Sequence, residues 1–76
     1  MSDMTFYIGT EKEYAVGAEV DESVFFQTLE HARARAQVRA EEVGMLFGNV
    51  YEISHEVDED FARHPDKVIR HVEWSI

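Results

Sequence analysis

The sequence predicts an α+β fold in which a four-stranded antiparallel sheet carries one helix on one face, in the order β-β-α-β-β. Four short segments alternate apolar and polar residues with the period of two that is typical of strands. One segment between them repeats apolar residues every three to four positions and is bounded by helix-capping residues. The chain of 76 residues is long enough for one small domain, residues 1–76.

The first two strands are predicted at residues 4–10 and 14–20. In both segments alternate residues are apolar, as expected for strands that bury one face. The polar residues 11–13 separate the segments, which favours a hairpin. A turn-like cluster follows at residues 21–23.

The helix is predicted over residues 29–43. Thr28 can act as its N-cap, because a threonine hydroxyl accepts a hydrogen bond from a free amide of the first turn. Gly44 supplies the left-handed residue that commonly ends a helix. The apolar residues form a stripe about 80° wide. This stripe, predicted to be buried, consists of Leu29, Ala32, Ala36, Ala40 and Val43.

Two further strands are predicted at residues 50–57 and 68–76, separated by a loop at residues 58–67 that contains Pro65. We expect the two strands to pair so that their aromatic residues become neighbours. The expected register pairs Val57 with Val68, His55 with Arg70, Ile53 with Val72 and Tyr51 with Trp74. The helix is then expected to cover the face that carries Tyr51 and Ile53.

The composition argues against most kinds of catalytic or metal site. The chain has no cysteine, which excludes disulfides and thiolate metal sites and indicates a reducing cytoplasm. The histidines lack the short spacing of metal ligands, and no serine lies in a nucleophile motif. We therefore expect no catalytic residues, no metal and no cofactor. The alternative of a small enzyme would require a pocket that this architecture is not expected to form.

The charge indicates the kind of partner. Sixteen acidic residues against seven lysines and arginines give a net charge of −9, which repels nucleic acid and anionic membranes. We therefore expect a protein partner with a basic surface, no direct nucleic-acid binding and no membrane association. The N-terminus has no signal-peptide pattern, and no segment is apolar enough to span a membrane, so a cytoplasmic location is expected.

The candidate binding surface is the sheet face opposite the predicted helix, extended by acidic residues of the neighbouring loop. Carboxylates at alternate positions on one strand stand about 7 Å apart and would form a ladder of negative charge. The predicted partner-binding residues are Tyr7, Glu19, Glu52, Glu56, Asp58, Glu59, Asp60 and Glu73. The alternative is that this face is simply a solvated exterior.

The arginines of HARARAQVRAEE, residues 31–42, do not indicate a nucleic-acid-binding helix. At about 100° per residue, Arg33 falls on one flank of the alanine stripe, whereas Arg35 and Arg39 fall on the other. Their stems can lie along the sheet while their guanidinium groups meet carboxylates, with Glu42 three residues after Arg39.

The segment FQTLEHARARAQ resembles the junction between strand and helix in many small bacterial and phage domains. In size, acidity, lack of cysteine and predicted element order, the chain resembles the small acidic inhibitors encoded by phages and mobile elements, such as anti-CRISPR and anti-restriction proteins. This resemblance implies a non-enzymatic inhibitor that blocks a basic, nucleic-acid-binding site on a partner such as a host defence complex. The alternative is a structural or regulatory homodimer that uses Val38 or an open sheet edge, so both monomer and homodimer are expected states.

Overall fold

The structure, a computed structural model, describes residues 4–55 and 66–75. It contains the strands β1 (Met4–Thr10), β2 (Gly48–His55) and β3 (Lys67–Ser75) and the helix α1 (Leu29–Val43). The strands form one antiparallel sheet in the order β1-β2-β3, with β2 in the centre. The α+β class is therefore correct, but the predicted four strands and the order β-β-α-β-β are wrong, because the order is β1-α1-β2-β3.

The helix begins and ends at the predicted residues. Thr28 has an extended backbone and its hydroxyl accepts a hydrogen bond from the amide of His31. Gly44 adopts the left-handed conformation with φ of 73°, and its amide donates to the carbonyl of Glu41. Both caps satisfy backbone groups that the helix itself leaves without partners. They confirm the bounds that the sequence predicts.

The predicted strand at residues 14–20 is wrong. Gly17 lies at its centre with φ of 86°, and the amide of Ala18 donates to the carbonyl of Ala15, so the chain turns where a strand would continue. Residues 11–28, which we call the connection, run irregularly from β1 to α1. The predicted hairpin with β1 does not form, because the left-handed glycine interrupts the extended backbone that a strand requires.

The connection forms hydrogen bonds with the outer edges of both outer strands. Along β3, the amide of Gly17 donates to the carbonyl of Val68 at 2.8 Å, and the amide of Val68 donates to the carbonyl of Ala18 at 3.0 Å. Along β1, Tyr7 and Phe26 exchange backbone hydrogen bonds of 2.8 and 2.9 Å. The connection therefore crosses the sheet from β3 back to β1 before α1 begins.

The helix lies on the sheet face that carries two glycines. A Cβ atom on Gly9 would stand 1.8 Å from the carbonyl oxygen of Ala32, and one on Gly48 would stand 2.2 Å from that of Ala36. The backbones of the helix and strands thus touch directly. Val50 of β2 lies on the same face and is fully buried against the alanines of α1.

The opposite face is covered by the connection. Its core consists of the buried residues Ile8, Tyr51, Ile53 and Val68, with Phe6, Tyr14, Val20 and Phe25 packed against it. The expected placement of the helix over Tyr51 and Ile53 is therefore wrong. Alternation shows which residues share a face, but only the missing side chains of Gly9 and Gly48 determine which face admits a helix at this distance.

The predicted register between the last two strands is also wrong. Ile53 lies opposite Val68, Tyr51 opposite His71, and Asn49 opposite Trp74. The pairing shifts between Val50 and Tyr51 and again between Glu52 and Ile53. Each irregularity changes the register by one residue, so the difference from the predicted register grows from two residues at Val50 to four at Ile53. Alternation cannot reveal such shifts. β2 begins at Gly48 rather than at residue 50, and β3 begins at Lys67 rather than at residue 68. Residues 56–65 and 76 lie outside the described residues.

Candidate functional site

Three of the predicted binding residues lie on the helix side of the sheet. Tyr7 is half-buried against the cluster that contains the alanines of α1. Glu52 accepts a hydrogen bond from Arg70, and Glu73 accepts one from Arg33 of the helix. These two carboxylates therefore face arginines rather than forming an open ladder of negative charge. Whether they contact a partner stays a prediction.

The fourth predicted binding residue among the described positions, Glu19, lies apart from these three. Glu19 is exposed on the connection, where its backbone bridges to Lys67 at the outer edge of β3. Outside the described residues lie Glu56, Asp58, Glu59 and Asp60. The structure thus does not bring the predicted residues together on one surface among the positions it describes.

A hydrogen-bond network lies instead at the end of the sheet where β1 ends and β2 begins. Its centre is Thr10, which is fully buried. The Thr10 hydroxyl accepts from the amide of Lys12 at 3.1 Å and lies 3.1 Å from a carboxylate oxygen of Glu22, to which it can donate. The side-chain amide of Asn49 donates to the carbonyl of Lys12 at 3.2 Å. These bonds attach the connection to both strands.

Arg39 joins the connection to the helix. Its Nε and Nη2 donate to the two carboxylate oxygens of Glu11 at 3.0 and 2.7 Å, and its Nη1 donates to Glu42 at 2.7 Å. The contact with Glu42 confirms the pairing expected from sequence. Hydrogen bonding from Arg39 lowers the pKa of Glu11 to about 2, and the same contact raises the pKa of Arg39.

A second polar contact fixes the middle of the connection. Lys12 Nζ lies 2.8 Å from the carboxylate of Asp21, which also accepts a hydrogen bond from the hydroxyl of Tyr14. The hydrogen bond from Lys12 lowers the pKa of Asp21, and burial together with Asp21 raises the pKa of Tyr14. The amide of Tyr14 donates to the hydroxyl of Tyr51 at 2.9 Å. The connection is thus anchored to the central strand.

Carboxylates outnumber basic groups in this region, which we call the acidic end. Hydrogen bonds of Arg39, Thr10 and Lys12 connect most of its residues. We include Glu13 and the last turn of α1 because they are neighbours of these residues in the chain. The acidic end comprises the acids Glu11, Glu13, Asp21, Glu22, Glu41 and Glu42 and the bases Lys12 and Arg39. Glu13 and Glu41 are exposed. This surface is more acidic than the helix-facing side, where Glu52 and Glu73 pair with arginines.

The same end carries an exposed apolar segment. We define the apolar turn as Val43, Met45, Leu46 and Phe47, which follow Glu41 and Glu42 in the chain. The side chain of Leu46 is 88% exposed and that of Val43 is 49% exposed. Val43 therefore does not belong to the buried stripe, contrary to the prediction. Sequence reasoning missed this surface, although VGMLFG places apolar residues between two glycines where polar loop residues are usual.

Within residues 4–55 and 66–75, no group of three or more histidine, aspartate or glutamate side chains could hold a metal ion. Neither stretch contains a helix that is both long enough and apolar enough to cross a membrane. Comparisons of the chain with protein-family models, with curated proteins and with solved structures find no match.

Proposed function

We propose that this protein is a non-enzymatic binding module that uses its acidic end to bind a partner protein with a basic surface. The observation that supports this proposal is the excess of carboxylates over basic groups at the acidic end, six against two. Glu11 and Glu42 share Arg39, whereas Glu13 and Glu41 are exposed and form no ion pair within the part of the chain that the structure describes. Exposed, unpaired carboxylates are the ones available to a basic partner.

The net charge of −9 favours the same class of partner. A surface potential of one sign increases the rate at which an oppositely charged protein arrives, and it repels nucleic acid. Because exposed charges are screened over about 8 Å at physiological salt, binding of this kind weakens as salt is added.

The acidic end is also held in place before any partner binds. Arg39 joins the connection to the helix, and Asn49 joins it to β2. A surface that is ordered in the free protein loses less conformational entropy when a partner binds. The hydrogen bonds of Arg39 and Asn49 therefore support a preformed binding surface.

The experiment compares two charge reversals on the same helix. Glu41→Lys changes the acidic end, whereas Glu30→Lys makes the same change of charge in the first turn of α1, roughly 16 Å away. Each protein is immobilised and exposed to a lysate of its source organism, and the captured proteins are identified and quantified. We expect wild type and Glu30→Lys to retain the same basic proteins and Glu41→Lys to lose them. Equal capture by all three proteins would contradict the proposal.

A further inference from the structure

The residues of the apolar turn are exposed, and three of them are consecutive in the chain. Leu46 is 88% exposed, and the large apolar residues Met45 and Phe47 on either side of it are also exposed. Scattered single apolar residues are common on protein surfaces, but a contiguous apolar group framed by charged residues is typical of a contact site. Val16, which is 73% exposed, has Ala15 and Gly17 as its chain neighbours and provides an isolated counterpart.

Both ends of the apolar turn are anchored. On the helix side, the amide of Met45 donates to the carbonyl of Ala40 at 2.8 Å. On the strand side, Gly48 is buried, and a Cβ there would stand 2.2 Å from the carbonyl oxygen of Ala36. Only three residues lie between the helix cap Gly44 and this buried glycine. The geometry therefore restricts the backbone that carries Leu46.

The charges beside the turn decide which occupant fits it. Glu41 and Glu42 precede it directly, and the latter shares Arg39 with Glu11. A second copy of the chain would bring two such acidic surfaces together, at a net charge of −9 for each molecule. An anionic bilayer would be repelled in the same way. A partner that places basic residues around an apolar surface has neither difficulty.

We propose that the apolar turn docks, with Leu46 foremost, against an apolar surface flanked by lysine or arginine residues on the partner protein. This inference rests on the proposed function and adds the shape and chemistry of the contact. The carboxylates of the acidic end meet the basic rim, while Leu46 leaves water against the apolar surface of the partner. Burial of an exposed leucine side chain removes its apolar surface from water and so favours association.

The test uses three synthetic helical peptides of about 18 residues as probes. The first has a leucine face flanked by lysines, the second replaces the leucines with serine, and the third replaces the lysines with glutamate. Each peptide is labelled, and its binding to wild type, Leu46→Ser and the matched control Val16→Ser is measured by fluorescence anisotropy at 150 mM salt. We expect the lysine–leucine peptide to bind wild type most tightly and Leu46→Ser roughly tenfold less tightly, with Val16→Ser unchanged.

The outcomes separate this inference from the proposed function. If both lysine peptides bind wild type equally and Leu46→Ser has no effect, the docking inference is wrong and the basic-partner proposal stands. If the glutamate–leucine peptide binds as tightly as the lysine–leucine peptide, both proposals are wrong. Sedimentation of the free proteins adds an independent check, because a wild-type dimer that Leu46→Ser converts to monomer would show that a second copy occupies the turn.

Discussion

The helix and the connection cover the two faces of one sheet by different means. The helix approaches through glycine and alanine, so that the backbones of Gly9 and Ala32 are in direct contact. The connection has no regular secondary structure and covers the other face with the larger side chains of Tyr14, Val20 and Phe25. On the helix side, Gly9 and Gly48 leave no room for an added atom. On the other side, a few side chains hold the connection against the sheet. An added atom should therefore be costly on the helix side, and a lost anchor on the other side.

The largest effect is expected from adding a single methyl group beneath the helix. In Gly9→Ala the new Cβ would meet the backbone of Ala32 at 1.8 Å, so the helix must move away from the sheet. We expect a loss of about 3 kcal/mol or more in the free energy of unfolding, measured by urea denaturation. Gly17→Ala is the control, because it has open space around it but a positive φ, and it should cost only about 1 kcal/mol. Equal losses would contradict the close approach of the helix.

On the opposite face, the largest effect is expected from removing one hydroxyl. Tyr51→Phe leaves the amide of Tyr14 without its acceptor, which should cost about 2 kcal/mol and loosen the connection. Hydrogen exchange at the Tyr14 amide should become faster, and urea denaturation gives the loss of stability. Tyr7→Phe removes a hydroxyl on the helix side and should change neither measurement appreciably. If Tyr14 exchanges at the wild-type rate in Tyr51→Phe, this anchor does not hold the connection.

Acid should weaken the bond between the connection and the helix. The pKa of Glu11 is about 2 in the folded protein and 4.5 as its ordinary value. A lowered pKa stabilises the fold above the ordinary value, and this contribution is lost as the pH falls from about 4.5 towards 2. For an ion pair near the surface we expect about 1 kcal/mol.

The check is the urea midpoint between pH 6 and 2, taken for wild type, Glu11→Gln and the control Glu30→Gln. The fall in stability with acid should be shallower in Glu11→Gln than in the other two proteins. An identical pH dependence in all three would show that the contact between Glu11 and Arg39 does not contribute.

The smallest effect on stability is expected from replacing apolar side chains that are exposed to solvent. Leu46→Ser and Val16→Ser replace exposed side chains and should change the free energy of unfolding by less than about 0.5 kcal/mol, measured by urea denaturation. A larger loss in Leu46→Ser would mean that the apolar turn belongs to the core on the helix side. A small change allows its binding defect to be attributed to lost contact.

The elements that the sequence predicts correctly are those determined locally. Thr28, Gly44 and the alanine spacing between them determine α1, and the alternation of residues 4–10 predicts β1. The segment 14–20 carries the same alternation, yet Gly17 turns the chain and the backbone pairs with β3 far along the sequence. Alternation alone cannot distinguish these two outcomes.

The candidate site is harder to predict because its contacts join distant residues. Arg39 and Glu42 are three residues apart on a helix, and their contact could be predicted. Arg39 and Glu11 are separated by 28 residues, and Asn49 and Lys12 by 37, so no local pattern indicates either contact. The apolar turn could have been recognised, since its composition departs from that of an ordinary loop.

The hydrogen bonds of the connection to both outer strands bear on aggregation. An unpaired outer strand offers backbone groups on which another chain can stack, the first step towards fibrils. Here the connection forms backbone hydrogen bonds with the outer edges of both outer strands, at Tyr7 of β1 and at Val68 of β3. The resistance of the sheet to fibril growth therefore depends on the integrity of one irregular stretch of chain.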